Sequence, residues 1–337
     1  MKKRYKLTKA LFSISFISLL LFCLSRIYPS VAAFASVLSV RVRDFLFLVS
    51  SLVRPSLFEI AVYTSPILVF LLVRFVFRGG EKMRARFFLA ISLISLLPTL
   101  YILTLGMPSD ISLSRADDGN VTTAELVSAA EILAERVNSS ADPDPGELPL
   151  GEISEKVEAA FRRAIDYSGR MPVPKKFIFP SFFDALGSLA VYSFFTGEIN
   201  INTNAPSYTL PFTVAHEMAH AVGISDEGTS NFAAYLVLAE CDEPALSYSG
   251  ALCALEYILA DIKGQDRGAY EKIYDGLCES AKKDIDSYGR YLKKHSGTKI
   301  YKTAKRLNAT TVDLLGTGGK RSYSDVSLYV TNYLLSA

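Results

Sequence analysis

The sequence predicts an α+β chain, mostly α, in which three N-terminal transmembrane helices precede a larger domain with a small β-sheet. Three observations carry this expectation. Residues 1–107 hold three long apolar runs, whereas the rest of the 337 residues has the mixed composition of an ordinary soluble domain. Beyond residue 122 helical periodicity dominates, interrupted by short strand-like runs between Pro172 and Ile201. Directly after those runs stands His216-Glu217-Met218-Ala219-His220, an HExxH motif inside an apolar helical pattern.

The first apolar run, within residues 11–25, follows Lys2, Lys3, Arg4, Lys6 and Lys9, a basic start shared with secretory signal peptides. Only Ala32-Ala33-Phe34-Ala35 offers a small-residue cleavage site, and two more runs follow, so an uncleaved first span is expected. The runs at 57–77 and 87–105 are each near the roughly 20 residues that cross a bilayer as a helix. Glu59 near a boundary, with Pro66 and Pro98, is tolerable in such helices and gives little support to an intramembrane transport pathway. Between the first two runs, Arg26, Arg41, Arg43 and Arg54 alternate with Val40, Phe45, Leu46 and Leu48, which reads as an amphipathic segment lying at the interface.

Positive charge in short loops stays on the cytoplasmic side. The N-terminus and the Arg74, Arg78, Lys82, Arg84, Arg86 loop are basic, while Asp110, Asp117 and Asp118 follow the third run. A cytoplasmic N-terminus and an extracytoplasmic C-terminal domain are therefore expected, in a multi-pass protein of the cell membrane that meets lipid through its spans. The net charge of +2 is concentrated in the anchor, so nucleic acid is not an expected partner.

Residues 108–121 read as a polar linker and 122–337 as the outer domain. Helices are expected from a Thr122 or Thr123 cap to about Val137 and from about Ile153 to Tyr167. Strand-like runs come at Phe177–Phe179, Leu189–Tyr192 and Ile199–Ile201, with Thr196-Gly197 as a turn. Further helices are expected from Pro211 through Val222, Asp226–Glu240, Pro244–Ile262, Gly268–Tyr288, Ile300–Leu315 and Asp325–Leu335. Cys241, Cys253 and Cys278 form no CxxC metal site; a Cys241–Cys253 disulfide and buried free thiols both remain open.

On a helix His216 and His220 project from one face a turn apart and can share a zinc ion, while Glu217, about 100° around, can serve as general base. Two of the three histidines in the chain fall in this motif, and His295, in a Lys-Lys-His-Ser-Gly turn, reads as solvated surface. A third ligand is needed. Gly223 can end the motif helix in a left-handed conformation and bring the next helix back beside the histidines. Glu227 with Asn231 is similar to the Glu-x-x-x-Asp arrangement of the gluzincin peptidases, in which the Glu binds zinc and the later residue supports it. His216 to Asp226 reads HExxHxxGxxD, similar to the metzincin pattern, which makes Asp226 the alternative third ligand; it also suits a helix N-cap.

Phe195-Thr-Gly-Glu-Ile199 with Asn202, Pro211-Phe-Thr, the HExxH motif, Gly223, Glu227, Asn231-Phe232, Tyr235-Leu236 and a late Ser322-Tyr323 together resemble the bacterial domain-of-unknown-function 3810 family. The resemblance covers nearly the whole chain, is densest from Thr196 to Leu236, and implies a membrane protein with a C-terminal zincin-like peptidase region. That pattern carries a second acidic residue two places after the one matching Glu227, where this chain has Thr229. Tyr323 is a candidate oxyanion donor by family position alone. The segment from Val191 to Thr203 can act as an edge strand for extended peptides or simply pack as a hairpin.

The expected function is thus a membrane-anchored zinc metallopeptidase with one Zn2+ that hydrolyses peptide or protein substrates. Its class alternative is a non-catalytic, zinc-stabilised envelope binding or scaffold protein. Glu217 favours the first, because a structural zinc site needs no general base.

Overall fold

A computed structural model of the chain describes residues 2–78, 82–107, 113, 120–140, 148–165, 167, 169–315 and 321–336. It separates into two compact units, Met1–Asp110 with Ser193–Glu198, and Ile111–Tyr192 with Ile199–Ala337.

The first unit contains α1 (Lys2–Ser25), α2 (Pro29–Ser51), α3 (Leu57–Phe77), α4 (Met83–Ile94) and α5 (Leu96–Tyr101), which passes into a π-helical turn at Ile102–Gly106. Tyr5–Ser25, Leu57–Phe77 and Met83–Gly106 are each long and apolar enough to cross a membrane. The expected interface-lying segment is the helix α2, and its buried residues include Ser36, Ser39, Arg43, Phe47 and Ser50 at helical spacing. Arg43 Nη1 donates to Ser39 Oγ at 2.7 Å and to the Thr104 carbonyl at 2.8 Å. The π-helical turn shifts the backbone pairing, and Thr104 O finds its donors in side chains of α2. Within this unit Glu198 accepts the Leu57 and Phe58 amides at 3.1 and 2.7 Å, while Ser56 Oγ accepts the Glu59 amide at 3.0 Å. Both satisfy amides that have no partner inside the first turn of α3, and the carboxylate complements its dipole. Gly197 turns the chain here at φ 71°, with Leu46 and Phe47 so close that a Cβ would stand 2.8 Å from each.

The second unit is mostly helical. α6 (Thr123–Ser139) opens with a capping box between Thr122 and Glu125. α7 (Leu150–Ile165) buries Ile153, Val157, Ala160 and Phe161, an i, i+4, i+7, i+8 stripe. β1 (Lys175–Lys176), α8 (Pro180–Leu186), β2 (Ala190–Ser193) and β3 (Glu198–Ile201) follow. The sheet order is β1-β3-β2, with β1 parallel to β3 and Lys175 opposite Asn200. The strand expected at Phe177–Phe179 is shorter and earlier: Phe177 N still bonds Ile201 O, and Pro180 then starts α8.

α9 (Thr209–Ala221), α10 (Glu227–Ala239) and α11 (Pro244–Gln265) form the centre, with α12 (Arg267–Asp275), α13 (Glu279–Ser296), α14 (Lys299–Leu315) and α15 (Arg321–Ser336) around it. The single helix expected over 268–288 is two, because the chain breaks at Gly276, Leu277 and Cys278. α10 is buried along most of its length and packs on α7, α9, α11 and α15. The number of helices apolar and long enough to span a membrane is four among the described residues rather than the expected three. The fourth is α11, and 72% of its most apolar window is buried within the protein, which is how a core helix of a large domain reads. Most of the 108–121 linker lies outside the described residues.

Candidate metal centre

α9 starts next to a buried tyrosine. Tyr208 OH donates to Glu256 at 2.8 Å, and Ser249 Oγ donates to Tyr208 O. Along α9 every side chain is buried except Leu210, Thr213, His216 and His220, which are partly exposed, the two histidine side chains by 15% and 13%. These four fall on one stripe, so both histidines face the only wet side of an otherwise enclosed helix. A cavity of about 270 Å³ opens along the start of the same stripe, lined by Thr209, Leu210 and Thr213 with Leu150, Lys176 and Thr203.

The helix ends in a Schellman motif. Gly223, at φ 104°, donates its amide to His220 O, and the Ile224 amide reaches Ala219 O, each at 3.0 Å. The chain then reverses, and Asp226 caps α10 by accepting the Thr229 amide and the Thr229 hydroxyl on Oδ1, both at 2.7 Å. Glu227 is thereby the first residue of α10, and its carboxylate lies 3.3 Å from His216 Nε2 and 3.7 Å from His220 Nε2. The two Nε2 atoms are 3.1 Å apart.

His216, His220 and Glu227 form the one group of three or more such side chains, among the described residues, whose donor atoms all converge within 4.8 Å. In a tetrahedral site with metal–ligand bonds near 2.0–2.1 Å, neighbouring donors stand about 3.3 Å apart. The separations here cluster around that value, and two imidazoles with one carboxylate are a donor set of the kind zinc takes in catalytic sites. His220 Nδ1 meets Ile224 O at 2.8 Å, so it carries the proton and leaves Nε2 with its lone pair towards the other donors. Ser230 Oγ adds a contact to the same nitrogen at 3.3 Å. His216 Nδ1 is buried with no such partner among the described residues.

Glu217, the residue after His216 on α9, is 7% exposed and lies within electrostatic reach of His216, His220 and Glu227. Burial pushes its pKa up, while His216, His220 and a hydrogen bond from the Tyr192 backbone pull it down, and the first effect wins. With protons as the only cations at the site, burial disfavours charge on His220, but the Glu227 carboxylate more than offsets it and raises the ring to about 9. Burial likewise opposes ionisation of Glu227, yet the two imidazoles beside it, at 3.3 and 3.7 Å, hold its carboxyl well below the usual range. The Glu227 carboxylate thus favours positive charge on His220 beside it.

Of the residues singled out in the sequence, His216, His220 and Glu227 come together and Glu217 lies beside them on α9. Asp226 is occupied as the cap. Asn231 is buried on α10, where its Oδ1 accepts from Tyr257 OH at 3.4 Å. The side chain that touches His220 is instead its neighbour Ser230. The side chain of Tyr323 lies outside the described residues. His295 is half-exposed beside Tyr291, with ring centroids 5.2 Å apart. All four cysteines are free thiols, so Cys241 and Cys253 are not bridged. Sequence reasoning did not find Ser230 or the two main-chain partners, Ile224 O and the Tyr192 backbone. A serine at this position carries no distinctive pattern, and backbone groups carry none at all.

No curated protein and no solved structure matches the chain significantly. One family model does, over residues 35–331, and the chain therefore belongs to the family described as protein of unknown function (DUF3810).

Proposed function

We propose that this protein is a membrane-anchored zinc metallopeptidase. The observation that carries the reading is the convergence of His216 Nε2, His220 Nε2 and a Glu227 carboxylate oxygen at separations of 3.1–3.7 Å, with the buried Glu217 on the same helix. In this reading the three converging side chains hold one ion, and Asp226 serves as a cap. When bound, zinc supplies Lewis acidity and brings a water near it to a pKa of about 7. Glu217 accepts a proton from the attacking water and hands it to the departing amine. Burial lifts its pKa from the ordinary carboxylate range, which suits a group that must both take and return a proton. β2 is an edge strand whose backbone at Tyr192 bonds Glu217, so an extended peptide bound along it would lie next to the general base.

The anchor in this reading is Tyr5–Ser25, Leu57–Phe77 and Met83–Gly106, with α11 a core helix. The basic N-terminus and the basic residues from Arg74 to Arg86 support a reading in which those ends are cytoplasmic and the C-terminal domain is extracytoplasmic. The test uses purified full-length protein. Glu217→Gln is expected to keep stoichiometric zinc and to lose on the order of 10²–10⁴-fold in peptide hydrolysis. Zinc-dependent cleavage undiminished in that variant refutes the mechanism, and stoichiometric zinc with no cleavage across a broad peptide library favours the scaffold alternative.

A further inference from the structure

The second unit carries a surface that its peptidase reading does not use. Between Val173 and Phe182 the chain exposes Val173 (71%), Ile178 (50%), Phe179 (59%) and Phe182 (42%), with Lys175 and Lys176 in the same stretch. α14 packs against α8, and a Cβ placed on Gly187, which ends α8, would collide with the Tyr301 ring. On that helix Ile300 and Leu307 are 60% and 64% exposed and, seven residues apart, share one face. Around them stand Lys299, Lys302, Lys305 and Arg306, and Lys293 and Lys294 end α13 just before. No acidic residue occurs between Asp286 and Asp313.

Large exposed aromatics and aliphatics grouped over several hundred Å² mark an interaction site on a soluble surface. A basic helix with an apolar face is the form taken by segments that lie in a lipid headgroup layer. We propose that the Val173–Phe182 segment and the start of α14, residues 299–307, form a docking surface for anionic phospholipid. Phe179, Phe182, Ile300 and Leu307 enter the headgroup–acyl boundary, and the surrounding lysines meet phosphate. Two facts favour lipid over a protein partner. The chain has helices apolar and long enough to cross a membrane, so a bilayer is always tethered to this unit, and the patch is ringed by positive charge with no acidic residue among the neighbours named. This inference is independent of the metal centre.

The chain has no tryptophan, so Phe179→Trp or Leu307→Trp introduces a single reporter. Full-length protein is reconstituted into nanodiscs of phosphatidylcholine alone or of phosphatidylcholine with phosphatidylglycerol, with and without brominated acyl chains. Blue-shifted emission, protection from acrylamide and quenching by brominated lipid are expected in the anionic discs and not in the neutral ones. Each basic residue near an anionic surface strengthens docking about fivefold, so combining Lys176→Gln, Lys299→Gln, Lys302→Gln and Lys305→Gln lowers the docked-to-free ratio on the order of several-hundred-fold. That variant should return the emission to its water-exposed position. Equal quenching in neutral discs overturns the anionic assignment. Absence of brominated-lipid quenching, whatever the emission colour, overturns lipid docking altogether.

Discussion

Replacing Glu227 by alanine tests the metal centre most directly. The carboxylate approaches both imidazoles, at 3.3 and 3.7 Å, and supplies the only negative charge among the three donors. Structural zinc sites with four protein ligands bind with an apparent 10–16 kcal/mol, or about 3 kcal/mol per ligand. Removing one ligand should therefore weaken zinc by about 10²-fold. Asp226 is its nearest rival and the natural control. Its Oδ1 is engaged by Thr229 N and Thr229 Oγ1, both at 2.7 Å, so Asp226→Asn should cost about 1 kcal/mol or less of helix stability as a weakened cap and leave zinc affinity within about threefold. The assay is competition for zinc against a chromophoric chelator, at one fixed pH, using full-length protein in detergent. Circular dichroism of each variant separates lost ligation from lost folding. A folded Glu227→Ala protein that binds zinc as the parent does would sink the ligand assignment, as would a larger effect from Asp226→Asn.

Three further outcomes are expected. Ser230→Ala removes one of the two contacts to His220 Nδ1 but leaves Ile224 O, so zinc affinity should fall by no more than about tenfold; a change as large as that of Glu227→Ala would mean the serine is misread. Asp184 is buried, which opposes its charge, yet donors from Asn204, Tyr291 and Asn202 hold its carboxyl below the usual range. Because its folded pKa is depressed, its contribution to stability is complete above the unfolded value near 4 and is lost as pH falls through the folded one. Acid unfolding curves of Asp184→Asn should therefore show less stability than the parent at neutral pH and a shallower loss below about pH 4; parallel curves argue against it. Gly197→Ala places a Cβ 2.8 Å from Leu46 Cβ at φ 71°, and the strain and overpacking together should lower stability by about 2–4 kcal/mol, read as a reduced Tm in detergent; an unchanged Tm contradicts the packing.

The parts of the site that sequence could anticipate are those set by short-range geometry. His216 and His220 share a helix face because they are four residues apart, and Gly223 can reverse the chain because only a residue without Cβ adopts φ 104° at little cost. The four-residue step from Gly223 to Glu227 then decides which carboxylate comes near. Long-range contacts were not legible. Thr196-Gly197 reads as a turn and is one, but no local signal shows that Glu198 beside it caps α3, about 140 residues earlier in sequence. The helix expected over 268–288 failed for a local reason, since Gly276 and the buried Leu277 interrupt a pattern whose polar periodicity continues on both sides.

The exchange of roles between Asp226 and Glu227 follows from how a helix begins. A residue with extended φ and ψ just before a helix turns its side chain back onto the free amides of the first turn, and Asp226, at φ −81° and ψ 129°, does this with Thr229 N. Its Oδ1 is then engaged by the cap, whereas the group that converges with the histidines is Glu227. The next residue already has helical dihedrals, and its longer side chain projects from the helix end instead of folding over it. Thr229 reinforces the division, because its hydroxyl adds a second donor to the same Asp226 oxygen. An acidic residue at 229 would place a second carboxylate against that of Asp226 and repel it from the cap. Thr229 therefore stabilises the arrangement in which Asp226 holds the helix and Glu227 is left to meet His216 and His220.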